Sequence, residues 1–204
     1  MAKIKYTKNE LKTQKSYLKR FRRYLPTLIL KKQQLQLEIM KLHHKTEELK
    51  DTISKLETSV SEWVDLFAED VSIEELISLD NVITTQENIA GIDIPVFKEA
   101  EFKIKEYDLL TTPLWIDSGI GAVKKLSTLK IEFLVFEKQT ELIAAELRVT
   151  TQRVNLFEKV KIPEARENIR RINIVLGDMQ TAAVVTGKIA KRKIEARGAE
   201  IIQI

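Results

Sequence analysis

The chain has 204 residues, of which 31% are charged and 44% apolar, with only 6 Gly, 4 Pro and 6% aromatics. That balance fits a long helical or coiled-coil protein and excludes a turn-rich β fold or an aromatic-centred globular core. Cysteine is absent, which removes disulfide and thiolate chemistry and suits a reducing compartment.

No apolar run approaches the ~18 residues that a membrane-spanning helix needs. The opening MAKIKYTKNE lacks the apolar stretch of a signal peptide. The expectation is a cytoplasmic, soluble chain. Net charge is +4, and its distribution carries more information. Residues 1–32 hold eleven Lys/Arg against Glu10, and residues 57–118 hold fifteen Asp/Glu against Lys98, Lys103 and Lys105. From Lys188 to Arg197 there are five basic residues against Glu195. Both ends are positive and the middle is negative, which argues against a surface that seeks DNA uniformly.

The first third carries a heptad seam. One set runs Leu11, Leu18, Leu25, Lys32, Ile39, Thr46, Ile53, Val60, Phe67, and its partner set runs Gln14, Phe21, Leu28, Leu35, Leu42, Leu49, Leu56, Trp63. Fourteen of these seventeen positions are apolar and the phase never slips, which predicts a coiled-coil arm over residues 1–67. At 1.5 Å per residue it would run roughly 90 Å. Thr7 and Glu10 form a capping-box start. Pro26 leaves the phase intact and predicts a kink or local loosening, not a break. Lys32 and Thr46 read as register devices or snorkelling side chains.

Residues 68–113 read as an insert. Ser72 and Glu75 offer a second capping box for a short helix over SIEELIS. The following NVITTQENIAGIDIPVFKEAEFKIKEYD has β-branched residues, partial alternation, Gly91 and Pro95, and predicts a β-hairpin with Pro95 on an edge strand.

Residues 114–204 return to helical periodicity, with Thr112 and Pro113 placed as a cap and a first-turn proline. The seam runs Leu126, Leu129, Phe133, Phe136, Thr140, Ile143, Leu147, Thr150, Val154, Phe157. It resumes at Ile162, Ala165, Ile169, Ile172, Leu176, Met179, Ala183, Thr186, Ala190. The step from Phe157 to Ile162 is five residues, so the seam shifts by one at Pro163, and a kink there is expected to absorb the change. Two arms and an insert predict a mainly α fold: an antiparallel two-helix coiled coil with a short helix and a β-hairpin between the arms. The second arm is the longer by about twenty residues and must pack on the insert or extend past the first.

Catalytic signals are weak. GIGAVKK at Gly119 lacks phosphate-loop spacing, and TGKIAK at Gly187 lacks both the earlier glycine, where Ala182 stands, and the hydroxyl, where Ile189 stands. His43 and His44 project about 100° apart on a helix and cannot share a metal as an i, i+4 pair could. Glu47–Glu48, Glu69–Asp70 and Glu74–Glu75 have no base arranged with them. The expectation is no active site, no cofactor and no metal.

The segment QRVNLFEKVKIP, followed by ENIRRINIVL, resembles the arginine–valine–asparagine–x–x–glutamate…isoleucine–proline signature of the D subunits of V/A-type ATPases. Arg153, Val154, Asn155, Glu158, Ile162 and Pro163 stand at matching places. TKNEL is similar to the family's opening at Thr7, Lys8 and Leu11, and LILKKQQL matches at Leu28, Lys31, Lys32 and Leu35. ENIAGIDIPVF is similar to its extended insert. Ile29, Tyr6 and GDMQTAAVV depart from the pattern. The resemblance implies a central rotor shaft, or central stalk, that couples ATP turnover in a catalytic head to proton or sodium translocation through a membrane ring. It implies as partners the catalytic and regulatory head subunits (A and B), the F subunit, and the C/d subunit that links to the membrane ring. The chain would be peripheral to the membrane and bind no nucleic acid. Charge makes Lys5, Lys8, Lys12, Lys188, Lys191, Arg192 and Lys193 the candidate head contacts. The competing class is a coiled-coil binding module, either a prefoldin-like chaperone arm or a nucleic-acid-associated hairpin.

Overall fold

The computed structural model describes residues 4–62, 73–108, 112–113 and 115–201. Helix α1 spans Lys8–Ser61, α2 Ile73–Leu76, strand β1 Ile77–Ile89, β2 Ile92–Ile104, α3 Ile116–Asn155 and α4 Ile162–Ile201. A π-helical turn, Leu156–Lys161, lies between α3 and α4. The chain divides into two compact units, residues 30–150 and the two flanking stretches together. The fold is mainly α with one two-stranded antiparallel hairpin.

The start of α1 follows the capping pattern: the Glu10 amide donates to Thr7 Oγ1 at 3.2 Å. Every heptad position from Leu11 to Val60 and from Gln14 to Leu56 is buried or half-buried. Trp63 and Phe67, like Ser72, lie outside the described residues. Pro26 sits inside α1 and the helix continues through it. At Thr46 the polar seam position is satisfied locally, its hydroxyl donating to the Leu42 carbonyl at 2.7 Å.

In the flanking unit, α1 and α4 run antiparallel. Asn168 Nδ2 donates to Gln14 Oε1 at 3.5 Å, and the Phe21 and Phe157 rings lie 5.3 Å apart. The buried face of this part of the second arm comprises Val154, Ile162, Ala165, Asn168 and Ile172.

In the unit of residues 30–150, α1 and α3 are likewise antiparallel. Lys31 pairs with Glu146 at 2.8 Å, Lys50 lies 5.4 Å from the Phe133 ring centroid, and Lys130 meets Glu57 at 2.9 Å. Its core is Leu35, Leu42, Ile143 and Ile94, with Ile89, Ala90 and Ile92 packed on it, so the hairpin tip lies against the helix pair. Buried Gln139 on α3 donates Nε2 to the Pro95 carbonyl. A second cluster, Ile77, Ile116 and Ile120 with Trp115 and Phe102, closes the other end of the hairpin.

Strands β1 and β2 pair from Ile77↔Ile104 to Ile89↔Ile92, with register shifts at Leu79/Asn81 and Ile83/Thr84. The two-residue turn puts Ala90 at φ 53° and Gly91 at φ 81°, the left-handed pair that matches strand twist. Asn88 fixes it, accepting from the Gly91 amide at 3.0 Å.

Four expectations change. The short helix stops at Leu76, and Ile77 and Ser78 are strand, because β-branched Ile77 pairs with Ile104 and packs on Ile116. Helix α3 begins at Ile116, three residues after Pro113; the Thr112 hydroxyl bonds back to the Asp108 carbonyl at 2.7 Å instead of capping the helix. The phase step is taken by the π-turn that precedes Pro163, not by a kink at the proline. Beyond Leu176 no described residue covers the seam: every residue from Gly177 to Glu195 is exposed, Met179, Ala183, Thr186 and Ala190 included.

Candidate functional site

The signature Arg153–Pro163 is the place where the second arm changes its winding. An α-helix with an apolar seam advances three or four residues per inward position. Five residues separate Phe157 and Ile162, and the ladder takes the same step, the Ile162 amide donating to the Phe157 carbonyl. That i→i+5 bond is the π-helical pattern. It returns Ile162 to the inward face, and Ala165, Asn168 and Ile172 follow it there. Pro163 then falls in the first turn of α4, where its missing amide and fixed φ cost least.

The signature therefore splits in two. Val154 and Ile162 are buried against the paired helix. Arg153, Asn155 and Glu158 are exposed and make no side-chain hydrogen bond or ion pair within the described residues. The two buried residues set the packing, and the three exposed polar ones present a surface.

The basic candidates are all on the surface. Lys5, Lys8 and Lys12 are exposed, as are Lys188, Lys191, Arg192 and Lys193 on the exposed end of α4, where Lys191 approaches Glu195 at 3.7 Å. Between them and the π-turn lies a polar cluster. Arg170 donates Nε and a terminal nitrogen to the two oxygens of Glu167, each at 2.9 Å, and Arg171 Nε adds a third bond at 2.9 Å. Hydrogen bonds from Arg170 first and Arg171 second hold the Glu167 carboxyl down at about 2, against an ordinary 4.5. In the other unit the Tyr107 hydroxyl donates to Asp117, and that bond raises the Tyr107 pKa.

Both glycine-lysine stretches, at Gly119 and Gly187, lie inside helices α3 and α4, not in loops. His43 and His44 are exposed on α1, with His44 Nε2 3.4 Å from Glu48. Among the described residues no group of three His, Asp or Glu is placed to hold a metal, and no helix is long and apolar enough to cross a membrane. The heptad pattern passes over Tyr17 and Tyr24, which lie outside the seam yet leave large rings in solvent. Their spacing of seven is the signal that marks them.

Paired antiparallel helices, a π-helical winding change and a two-stranded hairpin define a mainly helical protein of coiled-coil type. A family model for the D subunit of ATP synthase matches residues 10–192, and the chain belongs to that family. It is 49% identical to the V-type ATP synthase D subunit of Borreliella burgdorferi over 95% of this chain and 96% of that protein. It is also 34% identical to the protein of that name from Chlamydia pneumoniae, over 96% of this chain and 95% of the relative.

Proposed function

We propose that the chain is the central rotor shaft of a V/A-type rotary ATPase, coupling ATP hydrolysis or synthesis in the catalytic head to proton or sodium translocation through the membrane ring. Family membership over residues 10–192 carries this reading. In it, the arms 1–67 and 114–204 form the shaft and the insert 68–113 lies between them. The chain has no active site of its own. Its partners are head subunits A and B, the F subunit, and the ring-linking C/d subunit, and it stays peripheral to the membrane.

The physics of the fold supports the role. A shaft must carry torque, and continuous helical ladders with interdigitated seams resist bending and slippage. It must also be asymmetric. A single pair of helices inside a threefold head makes different contacts with three otherwise equivalent sites, and so favours a different state at each. Exposed cations at both ends of the sequence suit contact with acidic or carbonyl-lined surfaces of the head.

The test is reconstitution in vesicles of the complex with and without this chain. ATP-driven ion uptake should require the chain, whereas hydrolysis by the head should persist uncoupled in its absence. Equal ion uptake without it would refute the reading.

A further inference from the structure

Beside the π-turn, α1 and α4 leave an open groove of about 450 Å³. Its floor is aromatic: Tyr17 stacks on Phe21 at 6.1 Å between centroids, and Phe21 lies 5.3 Å from Phe157. Tyr17 and Tyr24 flank Phe21 and remain 43% and 55% exposed. The winding change explains why the space is open. Inward positions Phe157 and Ile162 are five residues apart, and none of the six residues of the π-turn is buried. The second arm thus supplies fewer inward side chains opposite Tyr17 and Phe21 than a regular helix would.

The α1 segment that carries the groove is rich in cations, of which Arg20 lines the groove while helical spacing turns Lys12, Lys15, Lys19 and Arg22 to other faces of the helix. Residues 12–24 contain Lys12, Lys15, Lys19, Arg20, Arg22 and Arg23 and no acidic residue. All six are exposed, and none forms an ion pair within the described residues. Arg20 lines the groove itself, whereas Lys161 on the opposite wall is already paired with Glu164 at 3.4 Å. The uncompensated positive charge therefore sits on the α1 side. Nucleic acid is the other anionic class, but Tyr17, Phe21 and Phe157 lie against one another, which leaves Tyr24 as the one unstacked ring of the groove, whereas a single strand is held by stacking successive bases.

The geometry points to this groove as a docking site for a partner polypeptide that inserts an aliphatic or aromatic anchor flanked by carboxylates. The inference rests on the shaft reading, deepens it by stating the chemistry of the partner segment, and assigns that contact to the groove, away from the basic ends of the arms. The apolar anchor fills the space beside Phe21 and Phe157 and covers Tyr17 and Tyr24. A carboxylate beside the anchor meets Arg20, where charge pairing fixes register, and the other α1 cations add longer-range attraction that speeds encounter.

The experiment uses the full-length chain and the purified, assembled head subunits A and B. Binding is measured for wild type, for Tyr17→Ala with Tyr24→Ala, for Arg20→Glu, and for Lys188→Ala with Lys191→Ala. All these positions are exposed, and unchanged thermal melting verifies the fold. The tyrosine pair should weaken binding by about tenfold or more. Arg20→Glu should weaken it and flatten its salt dependence, and the Lys188/Lys191 variant should have the smaller effect. A photocrosslinker at position 24 should capture a head peptide with an aliphatic or aromatic residue beside Asp or Glu. Wild-type affinity in both the tyrosine and arginine variants, or capture of a peptide without carboxylates, overturns the groove while leaving the shaft reading intact. Tyrosine-dependent binding of a labelled single-stranded oligonucleotide, tighter than that of the head, also overturns it. A wild-type chain that fails to bind the head overturns both.

Discussion

The π-turn can be tested by the asymmetry between removing a residue and adding one. If Leu156–Lys161 holds one residue more than a regular helix needs, deleting exposed Val160 shortens the step from Phe157 to Ile162 to four residues, an ordinary seam step. The deletion would place Pro163 within a continuous α-helix, at a cost of about 3 kcal/mol, so it is made together with Pro163→Ala. This double variant should melt within about 1 kcal/mol of Pro163→Ala alone. Inserting one alanine after Val160 in the same Pro163→Ala background should behave otherwise. It turns the following helix by about 100° and carries Ile162, Ala165, Asn168 and Ile172 off the paired face. Ile162 and Ile172 are 8% and 0% exposed, and losing their burial costs about 1.5–3 kcal/mol each, so about 3–6 kcal/mol for the two. Thermal and urea unfolding followed by circular dichroism measure both variants. Equal destabilisation by deletion and insertion would refute the claim that the turn absorbs a single surplus residue.

Replacing Leu35 or Ile143 with alanine opens a cavity where neither side chain has any exposure, and each should cost about 2–5 kcal/mol in urea unfolding. Gln139→Leu removes the donor to the Pro95 carbonyl; it should cost about 1–3 kcal/mol and speed amide exchange in β2 near Pro95. Gly91→Ala meets no atom within 4 Å but must hold φ at 81°, so a loss of about 1–2 kcal/mol from backbone strain alone is expected. For Glu167, whose folded pKa lies below its ordinary value, the stabilising contribution is present above about 4.5 and is lost as pH falls toward about 2. Carbon NMR of its carboxyl should therefore titrate near 2, and Arg170→Ala should move that titration upward.

Periodicity made the helices of this chain legible, because a seam of Leu and Ile at heptad spacing has one physical use. Leu35, Leu42, Ile143 and Ile172 follow from that pattern and are the most buried positions on their helices. The five-residue step at Pro163 was equally visible, but its structural form was not. A proline and a phase change fit a kink as well as a π-turn, and only the Ile162-to-Phe157 hydrogen bond distinguishes them. The start of β1 at Ile77 was hidden because SIEELIS carries a helical cap pattern, and pairing with Ile104 overrides local propensity. The exposed end of α4 keeps its apolar spacing through Met179 and Ala190 while no described residue covers it. Sequence spacing reports a face, not what meets that face. The groove was hidden for a related reason: Tyr17 and Tyr24 fall outside the seam, and the opening beside them depends on the winding change in another part of the chain.

The central claim is that this chain turns inside a catalytic head. Because the sequence has no cysteine, one cysteine introduced at exposed Glu101 on β2 gives a unique attachment point for a bead. With the head fixed to a surface and ATP supplied, the bead should rotate in one direction and stop when nucleotide is withdrawn. A bead that stays still while the same molecules hydrolyse ATP would contradict the account.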